Sequence, residues 1–161
     1  MIQILESFVL SREAYQASLS AVCARFRLTV TELVILLFLA EHPQRNTATD
    51  IVHALRLTKS SVSMSVRDLQ ERGLLQGAFS GGNHRSIHLQ LCSEAHEIVD
   101  AGLQAQSRFF AALTRDFSPE ELQVLREYCR RMSKNLHSCI DSLHEASLRA
   151  DSAASNPNTR L

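Results

Sequence analysis

The chain has 161 residues, of which 45% are hydrophobic, and it carries no net charge at pH 7. A chain of this length can bury one good core, so we predict a single domain with extended helical flanks. No run approaches the roughly 20 apolar residues of a membrane span, and the opening residues lack the basic segment of a secretory leader. We therefore expect a cytoplasmic protein with no membrane partner.

The sequence contains none of the arrangements that are typical of an enzyme. It has no Gly-rich phosphate loop, no nucleophile elbow and no paired carboxylates. The four cysteines also lack the C-x-x-C or zinc-finger spacing of a metal site, so we expect buried free thiols. We predict no enzymatic activity, no cofactor and no metal. The cysteines are Cys23, Cys92, Cys129 and Cys139.

Residues 1–28 are predicted to form a dimerisation helix. Large side chains recur there with alternating spacings of three and four, a heptad seam that Arg12 interrupts once. A helix that packs on its own core gives similar spacing over two or three turns, but this seam is longer, so packing between subunits is the better account. The seam consists of Leu5, Phe8, Tyr15, Leu19, Val22 and Phe26.

A short helix, a turn and a second helix are predicted between Thr47 and Gly73. The first helix begins at Thr47-Ala-Thr-Asp50, a hydroxyl-x-x-acid pattern that satisfies the free N–H groups of a helix start. The turn runs from Arg56 to Thr58, and Thr58 can cap the second helix. Gly73 is typical of a helix C-terminus. The apolar stripe of the second helix is Val62, Val66 and Leu69.

The other faces of this second helix carry small polar and basic side chains. Phosphate would repel bulky acids on a helix that enters the DNA major groove, whereas serines fit there and can donate to bases or phosphates. We therefore predict that the helix reads double-stranded DNA. The predicted contacts are Thr47, Thr58, Lys59, Ser60, Ser61, Ser63 and Arg67.

A β-hairpin is predicted next, with a flexible tip over Ser80–Arg85 between the flanks Leu74–Phe79 and Ser86–Leu91. A narrow minor groove has a negative potential that attracts arginine, so His84 and Arg85 are predicted DNA contacts. The alternative is an ordinary solvent-exposed loop. With the preceding helices the hairpin completes a predicted winged helix-turn-helix lobe over residues 29–92.

The distribution of charge agrees with a DNA-binding lobe, although the whole chain is neutral. Between Pro43 and Gln90 there are six basic residues against three acidic ones, a net charge of +3, which leaves −3 for the rest of the chain. Two such lobes in a dimer would meet the duplex with their positive sides.

Residues 93–148 are predicted to form long connecting and C-terminal dimerisation helices, followed by a disordered tail over 149–161. Ser118 and Pro119 suit the start of a helix, and the acids that follow suit the positive end of its dipole. The tail is small, polar and interrupted by proline. A second heptad seam comprises Leu122, Leu125, Cys129, Met132, Leu136, Cys139 and Leu143, and its five non-cysteine members are predicted interface contacts with Leu5, Phe8, Tyr15 and Leu19.

The stretch from Leu33 to Arg85 resembles the MarR family of bacterial transcription regulators. Similar proteins carry helices like Thr31–Glu41, Thr47–Leu55 and Thr58–Gly73, and their wing usually shows Asp-x-Arg where this chain has Asn83-His84-Arg85. The resemblance implies a mainly α fold with a small β-hairpin wing and long dimerisation helices at both ends. It also implies a homodimeric repressor on a near-palindromic operator, with half-site centres about 10 base pairs apart.

The resemblance further implies that a small aromatic or amphipathic ligand releases the DNA. Such a ligand would lie between the dimer helices and the DNA lobe, where Tyr15, Phe26, His42 and Phe109 could line a cleft. A first alternative is thiol sensing by Cys23, whose pKa the neighbouring Arg25 and Arg27 could lower. A second is a winged helix that binds proteins instead of DNA.

Overall fold

The computed structural model describes residues 2–80 and 83–154, and gives only the backbone for residues 79, 80, 83–86, 144, 145 and 147–154. The elements are α1 (Ile2–Phe26), α2 (Val30–Glu41), α3 (Ala48–Leu55), α4 (Lys59–Glu71), β1 (Leu75–Ser80), β2 (Asn83–Leu91), a single 3₁₀ turn (Ser93–Ala95), α5 (His96–Leu113) and α6 (Pro119–Ala154). The prediction of a mainly α fold with one small hairpin is confirmed.

The chain divides into two compact units, residues 1–113 and residues 114–161. The first unit contains α1 to α5 and the hairpin, so the predicted division at 28/29 and 92/93 falls inside one unit. The second unit contains α6, which continues to Ala154 and so passes the predicted boundary at 148. The last part of the predicted tail, residues 155–161, lies outside the described residues.

Helix α2 lies at the centre of the first unit. Leu33, Ile35, Leu36 and Leu37 are all fully buried, because a helix that is apolar all round packs neighbours on every side. Helix α5 approaches it closely at Gly102, where an added Cβ would lie 2.7 Å from Leu37 Cδ2. A larger residue here would require the Leu37 side chain to move.

Helix α1 has two different halves. Leu5 and Phe8 in the first half are exposed, whereas Leu19 is 0% exposed and Val22 is also buried in the core. Leu19 therefore has no surface left for a second subunit, and its predicted place in the dimer interface is wrong. The error has a physical reason: spacings of three and four bring residues to one face of the helix but do not say what covers that face.

The hairpin is longer than predicted. β1 and β2 are antiparallel with Leu75 opposite Leu91, and the register shifts between Phe79 and Ser80, so that Ser80 pairs with Asn83. Most of the predicted tip Ser80–Arg85 therefore belongs to the two strands, with Ser80 and Asn83 as the pair nearest the tip.

Candidate nucleic-acid interface

The start of α4 is capped as predicted. Thr58 has extended backbone angles, and its Oγ1 accepts the Ser61 N–H at 3.1 Å. The same Oγ1 lies 3.1 Å from Ser60 Oγ. Because the side chain of Thr58 satisfies one of the free N–H groups, the first turn of α4 is fixed by residues that were also predicted to contact DNA.

Helix α4 separates a buried face from an exposed polar face. Val62, Ser65, Val66 and Leu69 are buried, and Ser61 is half-buried. Four of the predicted contacts on α4 are exposed to solvent. Met64, which was not predicted as a contact, is also exposed, with 62% of its surface accessible. No acid occurs between residues 59 and 67. The exposed side chains are Lys59, Ser60, Ser63, Met64 and Arg67.

The hydroxyl of Thr47, another predicted contact, is engaged in the cap of α3. It donates to Asp50 Oδ2 at 2.6 Å and accepts the Asp50 N–H at 3.1 Å, while the Thr47 N–H donates to the same carboxylate. These hydrogen bonds from Thr47 to the charged carboxylate lower the pKa of Asp50. Thr47 thus holds the start of α3 in place, whatever else it contacts.

The C-terminal end of α4 is tied to the C-terminal end of α1. Gly73, with φ of +68°, ends α4, and the Leu74 N–H donates to the Leu69 carbonyl at 2.9 Å. Arg72 donates to the carbonyl oxygens of Phe26 and Arg27 at 2.7 and 3.0 Å. The sequence presents Arg72 only as one more positive charge, since the carbonyls it binds carry no sequence signal.

The wing is joined to the start of α3. The Leu89 N–H donates to the Asn46 carbonyl at 2.8 Å, and Thr47 forms an isolated bridge with His88. His88 Nδ1 lies 2.6 Å from Asn46 Oδ1. The pair was not predicted from the sequence, and the side chains of the predicted wing contacts His84 and Arg85 lie outside the described residues.

The four predicted ligand residues have different surroundings. Tyr15 packs edge-on against Phe109, with ring centroids 5.5 Å apart, and its hydroxyl accepts a hydrogen bond from Gln106 Nε2 at 2.7 Å. Phe26 is half-buried beneath the Arg25 guanidinium. His42 is exposed at the end of α2, beside Phe38.

A cavity of about 420 Å³ lies between α1, α2 and the turn before α4. Tyr15 alone of the four predicted ligand residues lines it. Arg12 and Arg56 are among its lining residues, together with mostly apolar side chains, a combination that suits an amphipathic anion. The full lining is Arg12, Tyr15, Gln16, Val30, Thr31, Val34, Leu55, Arg56 and Leu57.

Cys23 does not have the environment of a reactive thiol. It is 8% exposed, and burial, followed by the charge of Glu32, raises its pKa. The predicted lowering by Arg25 and Arg27 is wrong. Arg25 forms an ion pair with Glu97, and both arginines are exposed, so the thiol responds to burial and to an acid instead. Burial and the raised pKa of Cys23 do not support the thiol-sensing alternative.

None of the helices in the described part of the chain is long and apolar enough to cross a bilayer.

Two helices joined by the turn Arg56–Thr58 and followed by an antiparallel hairpin make this a winged helix-turn-helix protein. Residues 28–86 match the model of the MarR family. The HTH-type transcriptional regulator PecS of Dickeya dadantii (strain 3937) is 26% identical over 121 residues, which are 74% of this chain and 73% of that protein.

Solved structures share the fold at low sequence identity. A putative MarR family transcriptional regulator from Listeria monocytogenes, complexed with 26mer DNA, has a TM-score of 0.78 at 14% identity and covers 88% of this chain and 93% of its own. S. aureus MepR in its DNA-binding conformation has a TM-score of 0.72 at 21% identity, covering 84% and 98%.

Over residues 28–86 the chain therefore resembles the MarR family of transcriptional regulators. The resemblance found in the sequence is confirmed. The regulators that the chain resembles agree with the prediction that it has no enzymatic activity.

Proposed function

We propose that the protein is a homodimeric repressor that binds a near-palindromic DNA operator and leaves it when a small effector binds. The observation that carries the proposal is the exposed face of α4, where hydroxyls and two cations occur with no acid from residue 59 to residue 67. Such a face can approach phosphates and base edges in a major groove. A regulator of chromosomal DNA works in the cytoplasm.

The relatives support DNA as the partner. PecS is an HTH-type transcriptional regulator, and the similar structures include a MepR–DNA complex and the Listeria regulator with its 26mer. The predicted DNA contacts Thr47, Thr58, Lys59, Ser60, Ser61, Ser63, Arg67, His84 and Arg85 are carried into the proposal, with Thr47 and Thr58 acting mainly through the caps of α3 and α4.

Dimerisation is supported by the apolar side chains that α1 and α6 leave exposed. On α6 these include Leu125, Met132, Leu136 and Leu143 at heptad spacing, and on α1 they include Phe8. A second copy of the chain would cover them through the seams that the sequence predicts. Twofold symmetry would then place two α4 helices in successive major grooves, about 10 base pairs apart.

The cavity between α1, α2 and the turn before α4 supports a small effector. Its apolar wall suits an aromatic or aliphatic body, and Arg12 and Arg56 suit an anionic group. Arg56 and Leu57 belong to the turn that sets the position of α4. A ligand that moves this turn would misalign the recognition helices with their grooves and release the DNA.

Selection of duplexes from a random DNA library by the purified protein tests the proposal. The expected result is an enriched near-palindromic motif, which the protein binds far more tightly than a scrambled duplex in a fluorescence-anisotropy titration at fixed salt. An aromatic carboxylate series added to the complex would then identify the effector. Absence of any enriched motif would contradict the proposal and favour a winged helix that binds another protein.

A further inference from the structure

The wing is hydrogen-bonded to the start of α3 where Asn46 and Thr47 lie beside His88 and Leu89. Asn46 immediately precedes Thr47, and its backbone carbonyl accepts the Leu89 N–H at 2.8 Å. Its side-chain Oδ1 lies 2.6 Å from Nδ1 of the half-buried His88. We call the Asn46–His88 side-chain pair the wing anchor.

The chemistry of the wing anchor determines which group donates the hydrogen bond. An amide oxygen only accepts, so His88 donates through an Nδ1–H group. The separation of 2.6 Å is shorter than is usual for an N–H···O hydrogen bond. Together with the backbone hydrogen bond from Leu89, the anchor holds strand β2 in one register and one orientation against the start of α3.

The hairpin needs such an attachment because it has only two strands. Isolated two-stranded hairpins are marginally stable in water, and the register shift between Phe79 and Ser80 interrupts the pairing toward the tip. Arg85 is three residues before His88 on the same strand, which is roughly 10 Å of extended chain. The direction of β2 at His88 therefore decides where the backbone at Arg85 lies.

We propose that Asn46 and His88 are positioning residues for DNA binding: they hold the wing at the angle from which Arg85 reaches the minor groove. The inference rests on the proposed DNA-binding function. It also assigns a role to the segment between α2 and α3, which ties the wing to the same Thr47–Asp50 cap that begins the helix-turn-helix.

A double-mutant cycle tests this role, because a positioning residue acts only through the group it positions. We expect His88→Ala and Asn46→Ala each to weaken binding to the selected duplex about fivefold, the value of one net hydrogen bond. In an Arg85→Ala background the same substitutions should have no further effect. His88→Asn, whose amide Nδ2–H lies at the same distance along the side chain as the imidazole Nδ1–H, should recover part of the affinity.

Gln90→Ala provides the matched control. Gln90 lies on the same strand, and its side chain pairs with Gln76 at 3.3 Å across the hairpin without touching the helix-turn-helix. We expect the Gln90→Ala protein to bind the selected duplex with the affinity of the wild type. If His88→Ala does not fold, Asn46→Ser, which keeps the backbone carbonyl and removes the amide oxygen, takes its place in the cycle.

Two outcomes would overturn the inference. One is wild-type affinity in the anchor variants, and the other is full additivity with Arg85→Ala, which would mean that the anchor acts on general stability. Failure of the wild-type protein itself to bind any selected duplex would instead overturn the proposed function, so the two failures are distinguishable.

Discussion

Arg72 Nη2 donates to the Phe26 carbonyl oxygen at 2.7 Å, which joins the C-terminal cap of α4 to the last turn of α1. The carbonyls at a helix C-terminus have no partner within the helix and carry partial negative charge, so a guanidinium is well suited to them. Residues of α1 also line the cavity and carry the exposed apolar face. The hydrogen bonds of Arg72 therefore couple the position of α4 to the position of α1.

Arg72→Ala should lower the free energy of unfolding by about 1 kcal/mol, because the two hydrogen bonds are exposed to solvent. It should also reduce affinity for the selected duplex more than affinity for a scrambled one, since a misdirected α4 loses base contacts before phosphate contacts. Chemical denaturation and anisotropy titrations measure the two effects.

Arg108→Ala is the control for this charge change, since Arg108 is an exposed residue of α5. Arg108→Ala should leave the ratio of the affinities for the selected and the scrambled duplex unchanged. An equal loss on both duplexes in Arg72→Ala would show that Arg72 contributes only positive charge.

Ser63→Glu should reduce DNA affinity by at least about tenfold, because it introduces an acid on the exposed face of α4 where phosphate lies close. Ser63 is exposed, so the fold should be retained. Ser107→Glu makes the same charge change on an exposed position of α5 and should bind like the wild type. Undiminished binding by Ser63→Glu would remove α4 from the DNA interface.

Leu136→Lys should convert the proposed dimer into monomers, because it places a charge in the apolar seam of α6. Size-exclusion chromatography with light scattering measures the mass directly. Asn135→Lys adds the same side chain one position off the seam and should remain dimeric. A dimeric Leu136→Lys protein would show that α6 does not form the interface through this face.

Cys23 should resist alkylation by a small maleimide in the native protein, since the thiolate is the reactive form and burial raises its pKa. We expect a rate more than about tenfold below that of an exposed reference thiol, introduced as Ser107→Cys, with the rate rising only at higher pH. Peptide mass spectrometry follows the two sites separately. Comparable rates at neutral pH would restore Cys23 as a candidate redox sensor.

The features that the sequence predicted correctly are mostly local. The caps at Thr47, Thr58 and Ser118 depend on residues at most three positions apart, and the structure contains all three. Leu19 was assigned wrongly because periodicity defines a face and not its partner.

The hydrogen bonds that join the wing to the start of α3, and the end of α4 to α1, could not be predicted because their partners are far apart in the sequence. Asn46 and His88 are 42 residues apart, and Arg72 is 46 residues from Phe26. Neither residue type signals such a contact: an asparagine before a helix indicates only a turn, and an arginine at a helix end indicates only charge. These contacts follow from the packing of α1, α4 and the hairpin around α2, which only the folded chain defines.

The exposed first half of α1 has a consequence for the thermodynamics of the protein. Ile2, Ile4, Leu5 and Phe8 are all exposed in the single chain, and contiguous apolar surface of this kind favours association. When association covers such a surface, the midpoint of thermal unfolding rises with protein concentration by mass action. The amount of regulator that a cell makes would then set how stable each molecule is, as well as how much operator is occupied.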